Sequence, residues 1–248
     1  MLGSGRAQKL GKQVSLFVVI LIGILAASAT PAWGVEPYFL QPSTAKASAS
    51  LPPKVFGALN PQGSRVSTYY NGLEIPICEI FWVKTVAGQN ARAGAEALYG
   101  KLQPGAFVGV IHFLNDQHYI RDFQYEMPAG YYTMRYAVMG DDGEALHAHP
   151  PDFVLLSPVR LDRDPSIVPS HRELMRRGQR ATGGSLPAFM SLVQFEKSGN
   201  ELPEVVTDDM GTCVLRVKLQ LKSPSRAKLD ELPFALVVAT PVPDTGGS

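Results

Sequence analysis

Cysteine is scarce in this sequence: 248 residues contain only Cys78 and Cys213, and no paired-thiol redox motif can be built from them. Charge of one sign is lacking too. Against 23 Lys and Arg stand 22 Asp and Glu, with no basic stripe or cluster of the kind a nucleic acid requires, so no nucleic-acid partner is expected. Catalytic signatures are missing. There is no nucleophile elbow, no phosphate loop and no zinc-protease helix, each of which has a spacing fixed by its mechanism. The segment 178–184 has the glycines of a phosphate loop, but no Lys-Ser/Thr follows to grip a phosphate. No internal repeat is present, and the longest apolar run, residues 14–27, falls short of the roughly 20 residues of a membrane span.

That short apolar run has a context. Arg6, Lys9 and Lys12 precede it, and small residues ending in Ala32-Trp33-Gly34 follow it, the pattern of a secretory signal peptide. Residues 1–34 are therefore expected to be a signal peptide, with a second cut position after Ala29, and the protein is expected to be exported, periplasmic or extracellular, with no membrane span after cleavage. No Cys follows the run to carry a lipid. The three basic residues are the only charged ones before Val35, so the remainder is close to neutral.

Hydrophobic residues make up 45% of the chain, enough for a sizeable core. Residues 35–54, rich in Pro, Ser, Ala and Thr and without periodicity, read as a flexible leader. A single domain is expected over 55–240 and a disordered tail over 241–248. Within the domain, period-2 alternation predicts strands over 66–70, 73–84, 107–114, 131–139, 153–157, 188–195, 212–222 and 234–239. Asn71-Gly72 marks a hairpin turn. Pro76 would remove a ladder hydrogen bond, which favours an edge position or a bulge there. The stretch 87–98 reads as a weak helical turn at most. Ser170-His171-Arg172-Glu173 matches a capping box, which starts a helix over 171–180 that stops at Gly183-Gly184. Arg176, Arg177 and Arg180 lie near its end and read as a solvated helix terminus, with an anion patch as the functional alternative. These elements predict a mainly β fold: an antiparallel β-sandwich, or an open barrel, with one short helix.

The residues Pro128, Gly130, Tyr132, Thr133, Arg135 and Tyr136 form a Pro-x-Gly-x-Tyr-Thr-x-Arg-Tyr hairpin, followed by Asp152-Phe153-Val154-Leu155-Leu156, the helix, and Gly184-Ser185-Leu186-Pro187. In these the region beyond Leu98 resembles a family of secreted bacterial β-rich proteins with no assigned activity. It departs from the family pattern at Leu186, where the family has His, and at His149-Pro150-Pro151, where the family has a Pro-Tyr-Arg run. The resemblance implies export and a β-rich fold and carries no site residue over.

Three sets of residues could bear function. His112, His118, His147 and His149, with Asp116, Asp141 or Asp142 nearby, could hold Zn or Cu, metals that imidazole suits; His-x-His in a polar loop is equally ordinary surface chemistry. Tyr131 and Arg135, on the strand face opposite Tyr132 and Met134, could form a ligand surface for a carbohydrate or peptide, although tyrosine also simply favours strands. Cys78 and Cys213 each lie on the apolar face of a predicted strand and could form a disulfide if those strands are neighbours; the alternative is two buried thiols. The acidic turn at residues 141–144 lacks the alternating ligands of a calcium loop. The leading expectation is a non-enzymatic secreted or periplasmic binding or interaction module for a protein, peptide or carbohydrate ligand, with no cofactor. A histidine-based Zn/Cu-binding protein and a hydrolase with a scattered active site are the alternatives.

Overall fold

The computed structural model describes residues 38–43, 51–90, 97–115, 127–139, 151–184, 186–197, 199 and 201–240, all within the compact unit Val35–Ser248. The signal-peptide segment, His118, His147, His149, the acidic turn and residues 241–248 lie outside the described residues.

The strands follow the alternation of their side chains. A seven-stranded antiparallel sheet runs β1 (Phe39–Pro42), β2 (Ser64–Tyr70), β3 (Leu73–Trp82), β5 (Phe107–Phe113), β6 (Gly130–Val138), β7 (Asp152–Pro158) and β8 (Phe189–Ser191). A second sheet is built on β10 (Cys213–Lys222), flanked by β11 (Asp230–Ala239) on one side and by β9 (Glu204–Thr207) and β4 (Val86–Ala87) on the other. The fold is thus mainly β. Cys78, Ile80, Trp82, Ile111, Phe113, Tyr132 and Met134 of the larger sheet and Leu215, Val217, Leu219, Phe234 and Leu236 of the smaller are all buried in one core. Trp82 meets Phe234 edge-on, 6.1 Å between centroids, across the interlayer.

Several elements depart from expectation for local reasons. β1 and Leu51, which is buried, lie in the stretch read as flexible; four residues are too few to show a period. A first helix, α1 (Pro53–Ala58), begins with proline at its first turn, where a missing N–H costs nothing. Ala87, at the start of the stretch read as a weak helical turn, instead belongs with Val86 to the strand β4, which pairs with β10 in parallel. Pro76 lies beside a register shift between Val66 and Ser67, and β5 reaches along β3 only as far as Cys78. Among the described residues its missing N–H therefore faces no strand.

The second helix, α2 (His171–Thr182), starts where Ser170 Oγ accepts from Glu173 N–H, 3.3 Å, and ends at Gly183 in the left-handed conformation. Only half of the capping box forms. The Glu173 carboxylate accepts from Arg176 and Arg177 instead of turning back to the helix start, because a guanidinium is the stronger donor.

The segment expected as one strand over 188–195 changes sheets. β8 pairs with β7, Leu192 then bridges to Leu236 of β11, and Val193 N–H donates to Ala235 O. Tyr99 closes this corner: its hydroxyl donates to Val193 O at 2.6 Å and accepts from Ala235 N–H at 2.9 Å. On the opposite side β9 lies against β1.

Candidate functional site

β10 sets up the site. Leu215, Val217, Leu219 and Leu221 point into the core, and β11 pairs with the strand along its whole length. Its other edge is only partly covered. β9 pairs with residues 213–216 and β4 with 221–222, so among the described residues no strand pairs with 217–220 on that side. The pairing with β9 ends at Glu204, opposite Arg216, and Pro203 precedes it.

The direction of the free groups follows from the register. Ala235, opposite Arg216, gives its N–H and C=O to Tyr99 and Val193, away from β10. Lys218 stands opposite Pro233, and Lys222 O accepts from Gly88 N–H on the β4 side. The even-numbered residues of β10 therefore direct their backbone groups away from β11. Lys218 and Gln220 present theirs to the uncovered edge.

A cleft of about 480 Å³ lies along that edge, between it and β1. Trp82 and Pro203 form part of its wall, and the amides Gln41, Asn60, Gln62 and Gln220 line it. Lys84 and Lys218 are its charged lining residues; no carboxylate is among them. Trp82 is 6% exposed, and its indole N–H is buried without a hydrogen-bond partner among the described residues. A buried donor left unpaired costs about 1–3 kcal/mol.

A second polar locus runs across the face of the larger sheet that points away from the interlayer. Arg65, Glu79, His112 and Tyr131 are successive cross-strand neighbours on β2, β3, β5 and β6. Glu79 accepts from Arg65 Nη2 at 2.7 Å and Ser43 Oγ at 2.8 Å, with His112 Nδ1 at 3.3 Å on its other oxygen. Burial acts to raise the Glu79 carboxyl, but these hydrogen bonds and the Arg65 charge outweigh it and hold it below the usual carboxylate range. The His112 ring stacks on Tyr131, 3.9 Å apart and 7° from parallel. Here the carboxylate stands between the hydroxyl and the imidazole. A nucleophilic triad needs the hydroxyl on the imidazole, so Ser43, Glu79 and His112 do not form one.

Of the expected site residues, His112 and Tyr131 are brought together, as this stacked pair. Among the described residues no three His, Cys, Asp or Glu side chains gather as a metal site would require. Arg135 corrects the expectation of a ligand surface. It is 1% exposed and donates to Asp162 through Nε at 2.6 Å and Nη2 at 2.8 Å, and to Gly105 O at 2.8 Å. The connector carrying Asp162 and the helix α2, whose Arg177 also reaches Asp162, lie over this face. The expected solvated arginine group is accordingly half engaged. Cys78 and Cys213 are both free thiols and both buried; burial pushes each thiol up, and charge on Cys213 raises Cys78 further, as between near neighbours.

The cleft was not among the expected sites. Its parts are scattered over residues 40–42, 60–64, 82–84, 203 and 217–220, and the one local signal, a proline just ahead of a short β-branched run at Val205-Val206-Thr207, marks where a strand pairing ends. No family model, curated protein or solved structure matches the chain.

Proposed function

We propose that this protein is an exported, non-catalytic binding module whose ligand site is the cleft beside β10. The single observation that carries the reading is the coincidence, along one cleft, of a strand edge that no described strand covers with Trp82, a wall residue whose buried indole N–H has no partner among the described residues. Both are polar groups that the fold leaves incomplete, and buried or half-buried polar groups are ordinarily paired. Export is supported by the basic, apolar and small-residue succession over residues 1–34. Among the described residues no helix is long and apolar enough to cross a membrane.

The two tryptophans are Trp33 and Trp82, so the Trp33→Phe variant carries one indole reporter, at the cleft. A panel of peptides and neutral oligosaccharides titrated into the ¹⁵N-labelled variant is expected to yield ligands that shift the Trp82 indole resonance saturably. Ligands that bind while leaving that resonance unmoved, and instead shift the exposed Leu73 and Ile75 of the β2–β3 hairpin, would place the site elsewhere.

A further inference from the structure

We propose that the cleft takes an extended, acidic peptide, which adds a strand to β10 in the interval between β9 and β4; this rests on the reading of the cleft as the ligand site. The interval spans residues 217–220 of β10, about 13 Å at the rise of a strand, and so accommodates about four residues of an extended chain. Lys218 and Gln220 each offer one N–H and one C=O to it. A partner that satisfies donors and acceptors alternating at that spacing is another polypeptide backbone, and addition to an exposed sheet edge is an established mode of peptide recognition.

The chemistry of the walls narrows the occupant. Sugar recognition by aromatic stacking needs an open ring face, and Trp82 at 6% exposure offers none. Its indole N–H is itself buried, without a partner among the described residues, so Trp82 is a wall of the cleft whose resonance reports an occupant. Lys218 is paired with Glu231 at 3.1 Å, but Lys84 donates only to Gly57 O, at 2.8 Å, and has no carboxylate partner among the described residues; its charge favours an acidic side chain on the incoming strand. Pro203 and the start of β4 bound the interval at its two ends and limit how far the added strand can run.

A random heptapeptide phage library panned against the full chain, followed by single-position N-methylation of the selected peptide, tests this. The expected result is enrichment of acidic sequences and an alternating pattern. N-methylation weakens binding at least tenfold at every second position and less than threefold between them, because only alternate amides of a strand face β10. Lys84→Glu is expected to weaken the same peptide at least tenfold with the unfolding midpoint little changed, since Lys84 is exposed and pairs with no carboxylate among the described residues. A flat methylation scan with the Trp82 indole still shifted overturns strand addition and leaves the cleft as the ligand site. So does a library that yields no peptide while a neutral oligosaccharide shifts Trp82. If peptides bind without moving Trp82, or if neither class of ligand moves it, both readings fall.

Discussion

At the scale of single residues, the most specific-looking side chains in the sequence prove to be structural. Gly130 sits at φ 144°, which only glycine tolerates readily; Tyr132 hydroxyl donates to Pro128 O at 2.8 Å; Thr133 and Arg135 both donate to Asp162; Tyr136 donates to Asp152, which also accepts from the backbone N–H of Leu98 and Tyr99. The hairpin motif is a set of tethers. Replacing Arg135 by Met would leave the Asp162 carboxylate buried with Arg177, 3.2 Å away, as its remaining guanidinium partner. Urea unfolding of Arg135→Met is expected to show a loss of about 3–5 kcal/mol, and the double change with Asp162→Leu to recover part of it.

Glu79 makes a prediction with a sign. Its carboxyl is held below its ordinary value, so the native state binds this proton more weakly than the unfolded chain does. The stabilisation is full above the unfolded pKa of about 4.3 and is lost as pH falls through the lower folded value. Glu79→Gln is expected to cost about 1–3 kcal/mol at pH 7, as for hydrogen bonds to a charged group. In parallel urea titrations from pH 7 to pH 2.5, the gap between variant and parent should stay constant down to about pH 5 and close below pH 4.

At the scale of elements, α2 depends on a residue that a helix would ordinarily avoid. Gly178 costs about 1 kcal/mol relative to alanine in a helix interior, yet a Cβ there would stand 2.8 Å from both Leu155 Cδ2 and Pro187 Cβ, and the Gly178 carbonyl accepts from Ala188 N–H. The glycine lets the helix lie directly on β7 and on the residues that lead into β8. Gly178→Val is expected to lower stability by about 1–3 kcal/mol through overpacking, read as a fall in the thermal midpoint. A rise would mean that the helix can move off the sheet without cost.

The long strands were legible because their apolar residues alternate: Cys213, Leu215, Val217, Leu219 and Leu221 are buried as their period requires. Two kinds of element escaped. β1, β9 and β4 are two to four residues long, too short for any period to be read, and they owe their existence to the edges they complete. The second failure concerned faces. Alternation sets Thr133 and Arg135 opposite Tyr132 and Met134, on the face read as lying away from the core, but both are buried by a connector and a helix that bring Asp162 and Arg177 to them. Polarity predicts exposure only where no partner is waiting, and the partner here is nearly 30 residues away. The candidate site was illegible for the related reason that an uncovered edge is a property of what fails to pair.

At the scale of the whole molecule, the two sheets share a corner at Leu192 and Tyr99, where every outward group of Ala235 is satisfied. On the far side, among the described residues, β9 and β4 cover the two ends of β10 and no strand covers its middle beside the cleft. An exposed strand edge is a liability that folds usually blunt, and its retention beside Trp82 is the basis of the proposed binding role. Native-state hydrogen exchange of the unliganded protein tests the claim most directly. Within β10 the amides of Val217, Leu219 and Leu221 are expected to be strongly protected and those of Lys218 and Gln220 to exchange at least a hundredfold faster; uniform protection along 217–221 would show the edge to be covered and would contradict the account.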